Sequence, residues 1–149
     1  MKARMKNPAA VVPEALEPLV ALGKILNASP VPAKTLGIVH LRVSQINGCA
    51  ACVDLGLSKQ EDTPRRLAHV AVWQESPFFD DAERAALALA ESVTRIADQS
   101  ERVPDAVWNE AARHYDDRAL ASLVLYIGVT NMYNRLNVAT RQVAGERNW

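Results

Sequence analysis

Apolar residues recur at helical spacing along most of the chain. Leu16, Leu19, Val20 and Leu26 predict a helix over Pro13 to Leu26, with Pro13 suited to a first turn. Asn27 to Pro32 is a break holding two prolines, and Leu36, Val39, Val43 and Ile46 resume the spacing over Ala33 to Ile46. Asn47-Gly48 stops that helix, because this dipeptide tolerates positive φ. A further helix starts at Cys49 and runs to about Lys59, and Gln60 to Pro64 is a polar turn with Thr63 placed to open the next helix. Leu67, Val70, Ala71 and Trp73 predict a short helix over Arg65 to Gln74, followed by a loop at Ser76-Pro-Phe-Phe-Asp whose aromatics pin it to the core.

Asp80 and Glu83 have capping-box spacing, in which each side chain satisfies a free N–H at the helix start, so a helix follows through Ala85 to Ile96. Val103-Pro-Asp opens another that reaches Tyr115, and Asp116 or Asp117 caps the last, Arg118 to about Arg141. No segment alternates as a strand and no repeat has solenoid spacing. The expected fold is all-α.

Composition supports this reading. The 149 residues suit one domain, and hydrophobic residues reach 49% with aromatics at only 5%, so the core is built of Ala, Leu and Val. Lys plus Arg and Asp plus Glu are both 17, a formal net charge of zero. Nucleic acid and anionic membranes call for a basic excess, so neither is an expected partner. No stretch is apolar for the length of a bilayer, and no apolar signal core follows the basic N-terminus before Pro13, so a cytoplasmic address is expected.

The chemistry lies in Cys49-Ala-Ala-Cys52, the only two cysteines of the chain. A thiol at a helix start sees free N–H groups and the positive end of the dipole, which favour its thiolate. Cys52, three residues on, faces the same side within disulfide reach, and the two alanines leave access to the sulfurs. Zinc would require about four ligands, two of them from His40, His69 and His114, which form no close pair. Two small apolar residues in a core would also satisfy the pattern. In a reducing compartment such a pair most often cycles between dithiol and disulfide. No metal or cofactor is expected.

Two other polar groups stand out. Asn131, Asn134 and Arg135 share one face of the last helix, either lining a pocket or, the preferred reading, forming a hydrogen-bonded network between helices or subunits. Glu83, Arg84 and Glu91 read as a cap and surface ion pairs, each contributing little.

Leu41-Arg-Val-Ser-Gln-Ile-Asn-Gly-Cys-Ala-Ala-Cys-Val-Asp-Leu resembles the signature of the alkylhydroperoxidase D-like branch of the carboxymuconolactone decarboxylase family. Trp73-Gln-Glu-Ser-Pro-Phe-Phe, Glu83 to Thr94 and Asn131-Met-Tyr-Asn-Arg-Leu resemble it in the same order. The resemblance runs from about residue 36 to 137 and leaves 1–32 as an N-terminal helical extension of a single domain over 1–149. It implies an AhpD-like helical bundle that assembles as a homo-oligomer, a trimer or hexamer. It also implies a peroxidase or disulfide-exchange activity on a hydroperoxide or disulfide substrate, with an external thiol protein as reductant.

In active members the second cysteine attacks the peroxide and the first resolves the sulfenic acid, which makes Cys52 peroxidatic and Cys49 resolving. The family's proton relay uses a histidine four residues after the second cysteine and a glutamate twelve before the first. Here those positions are Gly56 and Gly37. His40, three residues after Gly37 and near the same helix face, is the candidate replacement base, beside the plainer reading of a partly exposed histidine without a role. His69 would need the fold to bring it close. The expected function is a thiol-dependent peroxidase or disulfide-exchange protein with an altered relay. The alternative is a non-catalytic oligomeric binding protein of the same fold, the two glycines opening room for a ligand.

Overall fold

At the centre of the molecule lies the helix that leads into the cysteines. A computed structural model describes residues 2–59 and 62–146. In chain order the helices are α1 (Pro8–Val11), α2 (Pro13–Asn27), α3 (Ala33–Ile46), α4 (Ala50–Lys59), α5 (Pro64–His69), α6 (Asp81–Thr94), α7 (Asp105–His114) and α8 (Asp117–Thr140). A 3₁₀ stretch, Val70–Glu75, follows α5. No strand occurs among the described residues, and no helix among them is long and apolar enough to cross a membrane.

α3 packs against α4, α6, α8 and the 3₁₀ stretch. It can do so because apolar residues surround it: Leu36, Val39 and Val43 join Ala86, Leu89, Leu123 and Ile127 in one cluster. Ile38 and Leu41 join Leu67, Val70, Trp73, Phe79 and Leu87 in another. Each fully buried aliphatic side chain contributes about 1.5–3 kcal/mol. The alanines of α6, with Ala85, Ala86 and Ala90 buried, let its backbone come close to its neighbours.

Most helix starts follow from local chemistry. Asp80 and Glu83 form the reciprocal capping box at 2.8 and 3.1 Å, Thr63 Oγ1 accepts from the Arg66 N–H at 3.2 Å, and Asp116 accepts from the Ala119 N–H at 2.8 Å. α1 is an addition to the expected elements, with Asn7 accepting the Ala9 N–H at 3.0 Å and Pro8 in its first turn.

Three expectations need correction. The helix foreseen over Arg65 to Gln74 is not one helix: α5 ends at His69, and the 3₁₀ stretch after it is itself interrupted at Val72, which leaves helical geometry (φ −127°, ψ 35°). Its neighbours are pulled by tertiary ties: Arg42 Nη1 donates to the Ala71 carbonyl at 3.3 Å and Trp73 Nε1 to Glu91 at 2.9 Å. α6 ends at Thr94 rather than Ile96. The polar residues of α6 are more than surface pairs. Glu91 gathers Arg42 and Trp73, and Arg84 donates to the carbonyls of Gln74, Ser76 and Phe79, stitching the aromatic loop to the bundle. Of the polar turn expected at 60–64, residues 60–61 lie outside the described residues.

Candidate active site

The cysteines are placed by the way α3 ends. Asn47 closes the helix and Gly48 takes the left-handed conformation (φ 64°) that L side chains avoid. The Gly48 N–H then donates to Gln45 O at 3.2 Å and the Cys49 N–H to Ser44 O at 3.0 Å, the two bonds of a Schellman motif. This motif delivers Cys49 to the start of α4, where its carbonyl accepts from the N–H groups of Cys52 and Val53 at 3.0 and 2.9 Å. Cys49 therefore flanks the helix, and Cys52 is the cysteine within its first turn. The expected placement is corrected by one position.

Cys49 and Cys52 are joined as a disulfide with Cα atoms 5.2 Å apart, inside the range such bonds require. Both are buried, at 2% and 3% exposure. The intervening alanines do not leave the sulfurs open, a second correction. Cys52 turns toward α8, where Asn137 Nδ2 donates to its sulfur at 3.3 Å.

An asparagine network holds the turn from behind. Asn47 Nδ2 donates to Asn131 Oδ1 and Asn134 Oδ1, both at 2.9 Å. Asn134 Nδ2 reaches Ser44 Oγ at 3.2 Å, and Asn131 Nδ2 reaches Thr94 Oγ1 at 3.1 Å. Arg135 donates to the Asn131 side chain at 2.8 Å. These side chains tie α8 to α3 and α6, the preferred of the two readings.

His40 projects from α3 onto α4. A Cβ built on Gly56 would stand 2.8 Å from His40 Nδ1 and 3.2 Å from its Cε1, so the imidazole occupies the space of the missing side chain. Gly37, His40 and Gly56 share the wall of a half-open cleft of about 490 Å³ with Leu36, Leu55 and Tyr126. Lys34 and Asp62 border it, and Arg66 pairs with both Asp62 and Glu83. Burial pushes the Tyr126 phenol up to about 12, so it presents a neutral hydroxyl to the cleft.

His69 does not join the site. Its Nδ1 is 3.1 Å from Ser76 Oγ and its ring meets Phe78 edge to face at 4.7 Å. His114 pairs with Glu110 on the exposed side of α7, and that hydrogen bond holds the Glu110 carboxyl below its usual range. The sequence did not point out Asn137, the polar neighbour of Cys52 Sγ, or Asn7, which bonds Asn137. Helical spacing of Asn131, Asn134 and Asn137 was the available signal for Asn137.

Comparison with known proteins places this geometry. The carboxymuconolactone decarboxylase family model matches residues 13–92. The uncharacterised protein YdfG of Bacillus subtilis is 35% identical over 87% of this chain and 88% of its own. A crystal structure of a protein of unknown function from Agrobacterium tumefaciens, whose name links it to the antioxidant defence protein AhpD, superposes with a TM-score of 0.89. It is 30% identical over 98% of this chain and all of its own. A peroxidase-related protein from a Silicibacter species shares the fold at 22% identity, with a TM-score of 0.75 over 91% of this chain and 72% of its own.

Proposed function

As the chain belongs to the carboxymuconolactone decarboxylase family, we propose that it is a thiol-dependent redox protein, reducing hydroperoxides or exchanging disulfides through Cys49 and Cys52. The observation that carries this reading is the disulfide at the head of α4, in a place where thiolate is favoured. In the reduced protein, His40 takes the proton of Cys52. The Cys52 thiolate attacks the terminal oxygen of the hydroperoxide, the O–O bond breaks, and the departing alkoxide takes the proton from His40 to leave as the alcohol. Cys52 is then a sulfenic acid. The Cys49 thiol condenses with it, releasing water and forming the disulfide. An external dithiol protein supplies two electrons and two protons to restore the thiols.

The cleft beside Gly37 and Gly56, whose mixed apolar and polar lining includes His40 but neither cysteine, receives the organic part of the substrate beside the proposed base. The buried sulfurs favour small or extended substrates over bulky ones. Assembly into a homo-oligomer belongs to the same proposal. α2 buries only Leu26 within the chain and leaves Leu16, Val20 and Ile25 at 43%, 45% and 67% exposure, a cost that a second copy would relieve.

A second reading, a non-catalytic binding protein of this fold, is favoured by the cleft of about 490 Å³ that Gly37 and Gly56 help to line. Consumption of an alkyl hydroperoxide with a small dithiol as reductant separates the two. Turnover that is lost in Cys52→Ser supports the redox reading. A folded protein whose dithiol consumes neither hydroperoxide nor disulfide supports the binding one.

A further inference from the structure

Asn7 and Asn137 stand 130 residues apart in sequence and meet in a buried chain of hydrogen bonds that ends on a reacting sulfur. Its direction is settled at one end. The backbone N–H of Ala9 can only donate, and it donates to Asn7 Oδ1 at 3.0 Å. The Asn7 amide is thereby oriented, and its Nδ2 donates onward to Asn137 Oδ1 at 2.9 Å. With its oxygen so engaged, Asn137 must present Nδ2 on its other side, where it meets Cys52 Sγ at 3.3 Å. Asn7, Asn137 and Cys52 are exposed by only 2%, 4% and 3%, so water does not compete for these bonds.

The segment carrying Asn7 is itself fastened to the end of α8. The Arg4 N–H donates to Thr140 O and Arg4 Nη1 to Ala139 O, both at 2.9 Å, and Gln142 Nε2 donates to Met5 O at 2.9 Å. The N-terminal segment thus holds the aiming residue in register with Asn137.

We infer that Asn137 is the donor that stabilises negative charge on Cys52 Sγ, and that Asn7 is a positioning residue that keeps the amide aimed at it. A disulfide sulfur is a weak acceptor, whereas the thiolate left by reduction is a strong one, and hydrogen bonds to charged groups are the stronger kind. The donor therefore favours the reduced, reactive form and marks Cys52 as the attacking sulfur, an assignment that rests on the proposed function.

The test follows the ultraviolet absorbance of the Cys52 thiolate against pH in the Cys49→Ser protein, where Cys52 is the sole thiol. Asn137→Leu is expected to shift the titration upward by about one pH unit, a tenfold loss of thiolate on its acid side. Asn7→Ser keeps an acceptor for the Ala9 N–H but loses the amide donor, and should give a smaller shift in the same direction. In the Asn137→Leu background, Asn7→Ser should add nothing, because its effect passes through Asn137. An unchanged titration in folded Asn137→Leu overturns the inference, as does an Asn7→Ser shift that persists undiminished without Asn137. Should Asn137→Leu fail to fold, Asn7→Ser decides alone: an upward shift supports the inference and an unchanged titration overturns it. The titration requires no substrate, so a protein that turns over neither hydroperoxide nor disulfide yet shows these shifts defeats the proposed function and leaves this inference standing.

Discussion

The imidazole of His40 fills the space beside Gly56, so that a Cβ at position 56 would lie 2.8 Å from His40 Nδ1. Position 56 is one helical turn beyond Cys52, about 6 Å along the axis. The two residues are coupled sterically: a side chain on α4 at this point and the imidazole from α3 exclude one another. An imidazole thus reaches the α4 face from the neighbouring helix.

This exclusion makes paired substitutions informative. His40→Ala is expected to lower hydroperoxide turnover between about 10²- and 10⁴-fold, the usual contribution of a positioned acid–base group. Gly56→Ala should lower it as well, because the new Cβ displaces the ring. Gly56→His combined with His40→Ala should recover part of the loss, since the space is then vacant for an imidazole from α4. Steady-state turnover of His40→Ala equal to that of the natural protein would remove His40 from the mechanism.

Breaking the asparagine network should destabilise the turn that carries the cysteines. Asn134→Leu deprives Asn47 of one acceptor and Ser44 of its donor in a buried setting. Asn47 keeps Asn131 Oδ1, so the loss is mainly that of the buried Ser44 hydroxyl left unpaired, about 1–3 kcal/mol. Urea unfolding should show a loss of that order, whereas Arg135→Ala, at the exposed end of the network, should change stability by less than about 1 kcal/mol.

Alkaline stability should follow the buried tyrosines. Desolvation pushes Tyr115 and Tyr126 up to about 12, so both phenols stay neutral in the fold when those of the unfolded chain, near 10, begin to ionise. The raised values mean that their contribution is complete below about pH 10 and is lost as pH rises toward 12. Tyrosinate absorbance in the native protein should lag behind that in denaturant, and unfolding free energy should fall across this interval. Coincident native and denatured titrations would contradict the burial of these rings.

The proposed assembly predicts a sedimenting species heavier than the 16.3 kDa chain at micromolar concentration. Val20→Glu, which charges the exposed face of α2, should shift the distribution toward the monomer while leaving helical circular dichroism unchanged. A single monomeric boundary for the natural protein would refute the assembly.

Much of this molecule is written in short-range chemistry, and that part was legible from the sequence alone. The all-α class, the Asp80–Glu83 box, the Thr63 cap and the Asn47-Gly48 stop all depend on groups within a few residues of each other. The dithiol spacing is equally local, and the disulfide it permits is present. The break at Val72 was hidden because its apolar spacing is helical, while the ties of Ala71 to Arg42 and of Trp73 to Glu91 come from distant elements. The burial of the sulfurs, the fit of His40 against Gly56, and the chain from Asn7 through Asn137 to Cys52 were likewise decided by the packing of helices. Sequence spacing orders side chains on one helix, but only the tertiary structure determines which faces meet, and a buried amide gains its chemical meaning from the group that the opposing face presents.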